Sequence, residues 1–336
     1  MQKKILFLHP GAKDISGVRN LLKVDERELG LEFVIDDNCP DYVFASEHIY
    51  YDEASIRRFF ELQRNHPINI YFAGEAISAD LNMFDYAIVF DKHLECEDRI
   101  GRIPLLRYFS LADEILTADK KYYYNEKNKF CCFMYSNANA HQRRDELFYA
   151  LSRYKHVDSL GKHLNNAECN SDRYSADWKA GSIKIKAEYK FSIAAENAVY
   201  RGYTSEKIMT SFLAGSIPIY WGNPLVEEDF NKDAFINANG LTDDELLSKV
   251  RRIDEDNDLY NNMLRQPWLT NEQIERYRQD EEKYISFIKN IFDQSIAGAY
   301  RRGIGTAPLL YEKFVRRENG EIKKKGLLVK IFTKDK

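Results

Sequence analysis

Residues 189–222 read YKFSIAAENAVYRGYTSEKIMTSFLAGSIPIYWG, a strand pattern followed by a loop, a helix pattern and a second strand pattern. The apolar run FSIAA leads directly into Glu196 and Asn197. Gly202 permits a tight turn before the helix, and Gly215 is placed to end the helix. Two strands joined through a helix form a βαβ unit, so this stretch predicts a parallel sheet.

Lys207 lies in the first turn of this helix, which Thr204 is expected to cap. A lysine at that position opposes the helix dipole and costs free energy. A bound phosphate would reverse the effect, because free backbone N–H groups and the positive dipole end bind anions. The alternative is an exposed lysine on an ordinary crossover helix. Glu206 is favoured by the dipole with or without a ligand.

Two further polar clusters follow predicted strands, at the edge where parallel sheets bind ligands. In one of them, small polar residues at 136–142 precede Arg143 and Arg144, whose guanidinium groups match phosphate oxygens. The alternative for these arginines is a solvated helix face. In the other, Glu75 follows the strand predicted at 68–72. It is placed either to act as a general base or to cap a following helix.

Short apolar runs alternate with helical patterns along most of the chain, which predicts an α/β fold. A polar stretch at 117–129 separates two series of strands. We therefore expect an N-terminal domain at 1–117, a linker at 118–129 and a second domain at 130–272. A capping box of Thr270 and Gln273 opens a C-terminal helical region, 273–310, which closes the fold. The predicted strands lie at 5–8, 42–45, 68–72, 86–90, 130–135, 189–194, 217–221 and 234–236.

Composition excludes several classes of protein. The chain has 336 residues with 49 basic and 53 acidic side chains, a net charge of −4 that argues against a nucleic-acid binder. The five cysteines include no C-x-x-C pair, which indicates reduced thiols in a cytosolic protein. No P-loop or G-x-S-x-G motif occurs. The acidic run at 254–258 has a D-x-D pattern, but it follows no apolar strand, so we expect no metal site.

Taken together, these segments resemble glycosyltransferase family 10, the α1,3/4-fucosyltransferases, in its bacterial branch. Residues 191–222, with Asp229-Phe230-Asn231 and Phe235-Ile236, resemble the family's donor signature. Residues 71–75 and 84–91 resemble its acceptor-domain signature, and residues 136–143 resemble its phosphate-arginine loop. One departure is Ser205, where threonine is usual, and another is the absence of C-terminal heptad repeats.

The resemblance implies a GT-B fold, in which two Rossmann-like domains face each other across a cleft, with the acceptor in the first and GDP-fucose in the second. It implies inverting transfer of L-fucose to O3 of N-acetylglucosamine, in N-acetyllactosamine-type glycans of lipopolysaccharide, with Glu75 as base. Glu196 has either a role near the fucose ring or a structural one. No obligatory metal is implied, so Mn²⁺ or Mg²⁺ is at most stimulatory. The donor-binding residues implied are Arg143, Asn197, Tyr203, Glu206 and Lys207.

Three alternatives stay open: an α1,4 or other linkage or acceptor, another nucleotide sugar, and a non-catalytic relative that binds a nucleotide sugar or a glycan. The tail at 311–336 has nine basic and four acidic residues, a net +5. We expect a cytoplasmic protein whose tail binds the anionic inner face of the cytoplasmic membrane. The alternative is a tail that packs on the fold.

Overall fold

The chain folds into two compact units, here in a computed structural model that describes residues 1–117, 127–169 and 178–303. The first unit contains residues 1–89, 94–103 and the described residues from 282 onward, and the second contains 90–93 and 104–281. Residues 104–117, which we expected in the first domain, thus belong to the second unit. Most of the expected linker and the whole basic tail lie outside the described residues.

The first unit is built on a six-stranded parallel sheet. Its strands are β1 Gln2–Leu8, β2 Glu32–Ile35, β3 Tyr42–Ala45, β4 Ile68–Phe72, β5 Tyr86–Val89 and β6 Ile100–Arg102. Their order is β2-β1-β3-β4-β5-β6, and every residue of β3, β4 and β5 is buried. Burial on both faces explains why these strands are almost entirely apolar. The exception, Asn69 in β4, is buried and donates to Gln63 Oε1 at 2.8 Å. Its helices are α1 Ile15–Leu22, α2 Glu26–Leu29, α3 His48–Tyr51 and α4 Glu53–Leu62, followed by a 3₁₀ turn, Gln63–Asn65.

The second unit has a five-stranded parallel sheet of order β11-β10-β9-β7-β8, with strands β7 Lys129–Phe133, β8 Val157–Ser159, β9 Tyr189–Ala195, β10 Ile217–Trp221 and β11 Ile236–Asn237. The expected βαβ unit is confirmed, because β9 and β10 are adjacent and parallel. Side chains from these strands and from flanking helices form a large apolar cluster and a smaller second one. The helices are α5 Leu105–Tyr108, α6 Ala112–Thr117, α7 Arg143–Ser152, α8 Trp178–Lys186, α9 Glu206–Leu213, α10 Val226–Asp229, α11 Asp243–Glu255 and α12 Asn257–Arg265.

A long helix, α13 Asn271–Asp293, and a short one, α14 Ile296–Ala299, follow. The predicted capping box is confirmed: Thr270 N donates to Gln273 Oε1 over 2.8 Å, and Gln273 N donates to Thr270 Oγ1 over 3.3 Å. The part of α13 from residue 282 onward belongs to the first unit. There Tyr284 is buried, and its hydroxyl donates to the Leu22 carbonyl at 2.6 Å. No helix in the described ranges is long and apolar enough to cross a membrane.

The buried Asp85 carboxylate anchors the chain just after α14 to the first sheet. It accepts hydrogen bonds from the backbone N–H groups of Asn69 (2.7 Å), Arg301 (2.8 Å) and Arg302 (2.8 Å). The Arg302 guanidinium, 2.9 Å away, balances its charge. Asp85 belongs to the expected acceptor-domain signature, so part of that signature is structural.

Candidate active site

At the carboxyl edge of the second sheet, β9 runs directly into Glu196, which is fully buried. Its carboxylate accepts hydrogen bonds from the backbone N and the Oγ of Ser205, both at 2.7 Å. Ser205 is the N-cap residue of α9, so Glu196 fixes the start of that helix. The expectation that Thr204 caps α9 is wrong, because its hydroxyl is buried and accepts from Asn223 Nδ2 at 3.0 Å.

The Lys207 ammonium group is held against this same carboxylate. Lys207 Nζ lies 3.2 Å from Glu196 Oε2 and donates to Ser205 Oγ at 2.8 Å. Burial lowers the pKa of Lys207, but the carboxylates of Glu196 and Glu206 more than offset this and raise the pKa above its usual value. Lys207 is therefore charged at neutral pH, and Glu196 offsets part of the dipole cost of its position.

Lys207 and Glu206 line a pocket of about 210 Å³ beside α9. Its wall also includes the Tyr135 ring, Trp178 and a second lysine, Lys186. Lys186 is buried and donates to the Lys207 carbonyl at 3.0 Å and to Thr210 Oγ1 at 2.7 Å. Two ammonium groups and one carboxylate thus lie around a small cavity at the start of a helix, which suits a ligand with both anionic and hydroxyl groups.

Asn197 and Tyr203 lie in the loop between β9 and α9, where contacts within the second unit fix them. Asn197 Oδ1 accepts from Arg144 Nη1 at 3.2 Å. Tyr203 is buried with its ring edge-on to Phe90, centroids 5.2 Å apart. The turn between them needs glycine, because Gly202 has φ +85° and a Cβ there would lie 2.3 Å from the Phe90 carbonyl oxygen.

Of the expected donor residues, Glu206 and Lys207 line this pocket, whereas Arg143, Asn197 and Tyr203 do not. Arg143 is held by other contacts. Its guanidinium binds Asp243, Glu146 at 3.2 Å and the Leu241 carbonyl at 2.9 Å. The neighbouring Arg144 is 1% exposed and lies over the Tyr135 ring, 4.6 Å from its centroid. Arg144 Nε has no hydrogen-bond partner. Arg144, and not Arg143, therefore adds positive charge on the Asn197 and Tyr135 side of the site.

Glu75 is exposed just after β4 in the first unit. No helix forms in the described stretch between Glu75 and β5, so the capping alternative for Glu75 is excluded. A second carboxylate that the sequence analysis missed lies beside this turn: Gly74 N donates to Glu47 Oε2 at 3.0 Å.

The acidic run at 254–258 serves the fold of the second unit. Asp254 is buried and ion-paired with Lys155 and Lys190. Asp256 caps α12, accepting from the backbone N of Asp258 at 2.9 Å. Across the described ranges, no group of three or more His, Cys, Asp or Glu side chains is placed to hold a metal ion. All five cysteines are free thiols.

Comparison with known proteins identifies the family. Residues 124–293 match the family model described as glycosyltransferase family 10 (fucosyltransferase), C-terminal part, and residues 31–109 match the α-(1,3)-fucosyltransferase FucT N-terminal domain. The chain belongs to glycosyltransferase family 10. In this family 10 chain, the first match contains the whole β7–β11 sheet. The second match contains strands β2 to β6 of the other sheet.

Relatives of this family 10 chain come from a virus, a bacterium and animals. A putative fucosyltransferase, R654, of Acanthamoeba polyphaga mimivirus is 28% identical over 268 residues, 78% of this chain and 44% of the relative. The Helicobacter pylori α-(1,3)-fucosyltransferase FucT is 28% identical over 261 residues, 67% of this chain and 52% of the relative. Human GDP-fucose protein O-fucosyltransferase 3 is 29% identical over 194 residues, 54% of this chain and 38% of the relative. The chain thus spans about half the length of the curated relatives it matches, or less.

Solved structures support the fold class. A crystal structure of an α1,3-fucosyltransferase superposes with a TM-score of 0.66 at 22% identity, covering 85% of this chain and 90% of that one. The same kind of enzyme crystallised with GDP-fucose gives a TM-score of 0.63. These neighbours have the GT-B fold, which confirms the expected fold class for this family 10 chain.

Proposed function

We propose that this family 10 chain transfers L-fucose from GDP-fucose to a hydroxyl group of an oligosaccharide. The observation that carries the proposal is the charged Lys207 in the pocket at the start of α9, beside Glu206. Relatives named as fucosyltransferases, and neighbours crystallised with GDP and with GDP-fucose, support the choice of donor.

The pocket chemistry suits a nucleoside diphosphate sugar. Among the described residues Lys207 Nζ has two partners, which leaves one N–H for a phosphate oxygen. Arg144 adds charge near Asn197, which makes it a better candidate than Arg143 for stabilising the departing diphosphate. The Glu206 carboxylate at the pocket wall can accept hydrogen bonds from ribose hydroxyls. Glu196 then acts indirectly, since it orients Lys207 and closes the start of α9.

The proposed reaction is one inverting displacement. Glu75 takes the proton of the acceptor hydroxyl, and the acceptor oxygen forms a bond to the fucose anomeric carbon. The bond from that carbon to the β-phosphate oxygen breaks on the opposite face, and GDP leaves with the electron pair. Lys207, already charged and oriented, stabilises the charge that develops on the phosphate.

For the acceptor, we propose O3 of N-acetylglucosamine in an N-acetyllactosamine-type glycan, giving an α1,3 linkage. The match of residues 31–109 to the FucT N-terminal domain favours this choice. A second candidate acceptor is a serine or threonine hydroxyl of a protein, because the human relative is named a protein O-fucosyltransferase. We also propose that the basic tail at 311–336, outside the described residues, brings the enzyme to lipid-linked acceptors at an anionic membrane.

The test is a transfer assay on the full chain. GDP-fucose is incubated with N-acetyllactosamine, with its β1,3-linked isomer or with a serine/threonine-rich peptide, and GDP release is followed over time. NMR of the product then reports the linkage and the anomeric configuration. We expect acceptor-dependent GDP release and an α1,3 product. The proposed function would be refuted if none of the acceptors made GDP release faster than it is when buffer replaces the acceptor.

A further inference from the structure

We propose that Glu47 belongs to the acceptor subsite, where its carboxylate binds a sugar hydroxyl beside Glu75. This inference rests on the proposed function and adds a specific ligand-binding group in the first unit. The ligand class is a sugar with neighbouring hydroxyl groups.

The sheet brings Glu47 and the Glu75 turn together. Strands β3 and β4 are parallel neighbours, with Ala45 paired to Tyr71, so both end at the same edge. Glu47 Oε2 accepts the Gly74 backbone N–H at 3.0 Å. A Cβ at Gly74 would lie 2.7 Å from Glu47 Oε1, so a larger residue just before Glu75 would displace this carboxylate.

The carboxylate of Glu47 has unused hydrogen-bonding capacity although it is nearly buried. The residue is 5% exposed, and across the described ranges its carboxylate makes one hydrogen bond, to Gly74, and no ion pair. An ionised carboxylate has room for about four hydrogen bonds, so a single partner leaves most of this capacity unused. A sugar hydroxyl donating to Oε1 would supply a charge-assisted bond.

Two histidines lie near Glu47 at the same carboxyl edge of the first sheet. His48 follows Glu47 directly, and His9 follows β1, the strand next to β3, and the two rings lie edge to face at 4.7 Å. His9 Nδ1 accepts the Gly11 N–H at 2.9 Å, so the proton of the neutral ring is on Nε2. Burial and the neighbouring His48 lower the pKa of His9, which keeps this ring neutral at pH 7.

This combination suits a sugar. Each sugar hydroxyl donates one hydrogen bond and accepts others, and the edge offers an accepting carboxylate and an imidazole N–H donor. Tyr51, three residues after His48 in α3, is 70% exposed and adds an aromatic face on the same side of that short helix.

The test compares Glu47→Gln with a matched surface variant, Glu61→Gln, which loses an exposed carboxylate that pairs with Arg58. Glutamine can still accept the Gly74 N–H, so the turn before Glu75 is preserved while the charge is lost. We expect the KM for N-acetyllactosamine to rise about tenfold in Glu47→Gln, the difference between a charge-assisted and a neutral hydrogen bond. The KM for GDP-fucose, the melting temperature and all constants of Glu61→Gln should stay unchanged.

Two results would overturn the assignment. An unchanged acceptor KM in Glu47→Gln, with loss of kcat in Glu47→Ala, would mean that Glu47 only holds the turn. A kcat as low as that of Glu75→Gln, with unchanged acceptor KM, would make Glu47 the base. Should Glu47→Gln unfold, Glu47→Asp keeps the charge but shortens the side chain, and an unchanged acceptor KM there overturns the proposal equally. Wild-type enzyme without transferase activity would instead refute the proposed function.

Discussion

Replacing Lys207 with alanine is the most direct test of the proposed donor site. The variant loses the ammonium group that forms hydrogen bonds with both Glu196 and Ser205 at the start of α9. By analogy with a lost oxyanion-hole donor, we expect turnover at saturating GDP-fucose to fall by about 10²–10³, or roughly 2.7–4 kcal/mol.

The same change also has a structural cost that can be separated from the chemical one. Glu196 keeps its two hydrogen bonds from Ser205 but loses its charged partner. Loss of a hydrogen bond to a charged group costs about 1.5–3 kcal/mol of folding free energy, so the variant should melt several degrees lower but stay folded at 25 °C.

The assay has three parts: single-turnover GDP release, GDP affinity by calorimetry, and thermal melting. Lys289→Ala is the matched control, because that lysine forms an exposed ion pair with Asp293 on α13. Only Lys207→Ala should lose turnover and GDP affinity together. A folded Lys207→Ala variant that turns over within a few-fold of wild type at saturating donor would refute the role of this pocket.

Four further predictions follow from the same contacts. Arg144→Ala should lower transfer by at least about tenfold, whereas Arg143→Ala should lower mainly the melting temperature; the reverse pattern in the transfer assay would restore Arg143 as the donor ligand. Glu75→Gln should lose transfer yet bind GDP with wild-type affinity, because Glu75 and the donor residues lie in different units; substantial turnover at pH 7 would mean another base. EDTA should reduce the rate at most several-fold, because Asp254 is ion-paired with two lysines; complete loss restored only by Mn²⁺ or Mg²⁺ would contradict this. Removal of the tail at 311–336 should abolish salt-sensitive binding to anionic vesicles and spare activity on soluble acceptors; an insoluble product would indicate a packing role.

Seven of the eight predicted strands lie inside a sheet, and the eighth is the edge strand β11, predicted at 234–236. Central strands such as β3 and β5 are buried at every position, so their sequences are unbroken apolar runs. The three missed strands, β2, β6 and β8, all lie at a sheet edge and are partly exposed. An edge strand pairs on one side and needs no continuous apolar run, so its pattern is weak.

The candidate site was predictable from the sequence where its residues are close together along the chain. The order of residues from Glu196 to Lys207 was enough, because one strand, one loop and one helix carry them all. Arg143 and Arg144 were indistinguishable in sequence, since adjacent helical positions point about 100° apart and the choice depends on what packs on each face. Glu47 was missed because only the pairing of β3 with β4 brings it to the Glu75 turn.

The anchoring of Arg302 on Asp85 has a consequence for synthesis of the chain on the ribosome. These two residues are 217 positions apart, and the buried part of α13 that follows residue 282 also belongs to the first unit. Residues 104–281 emerge before the last segment that the first sheet needs. Because domains fold as units during synthesis and distant contacts form slowly, the second unit should reach its native state first. The N-terminal strands then remain with part of their apolar surface uncovered until residues 282–302 have been translated.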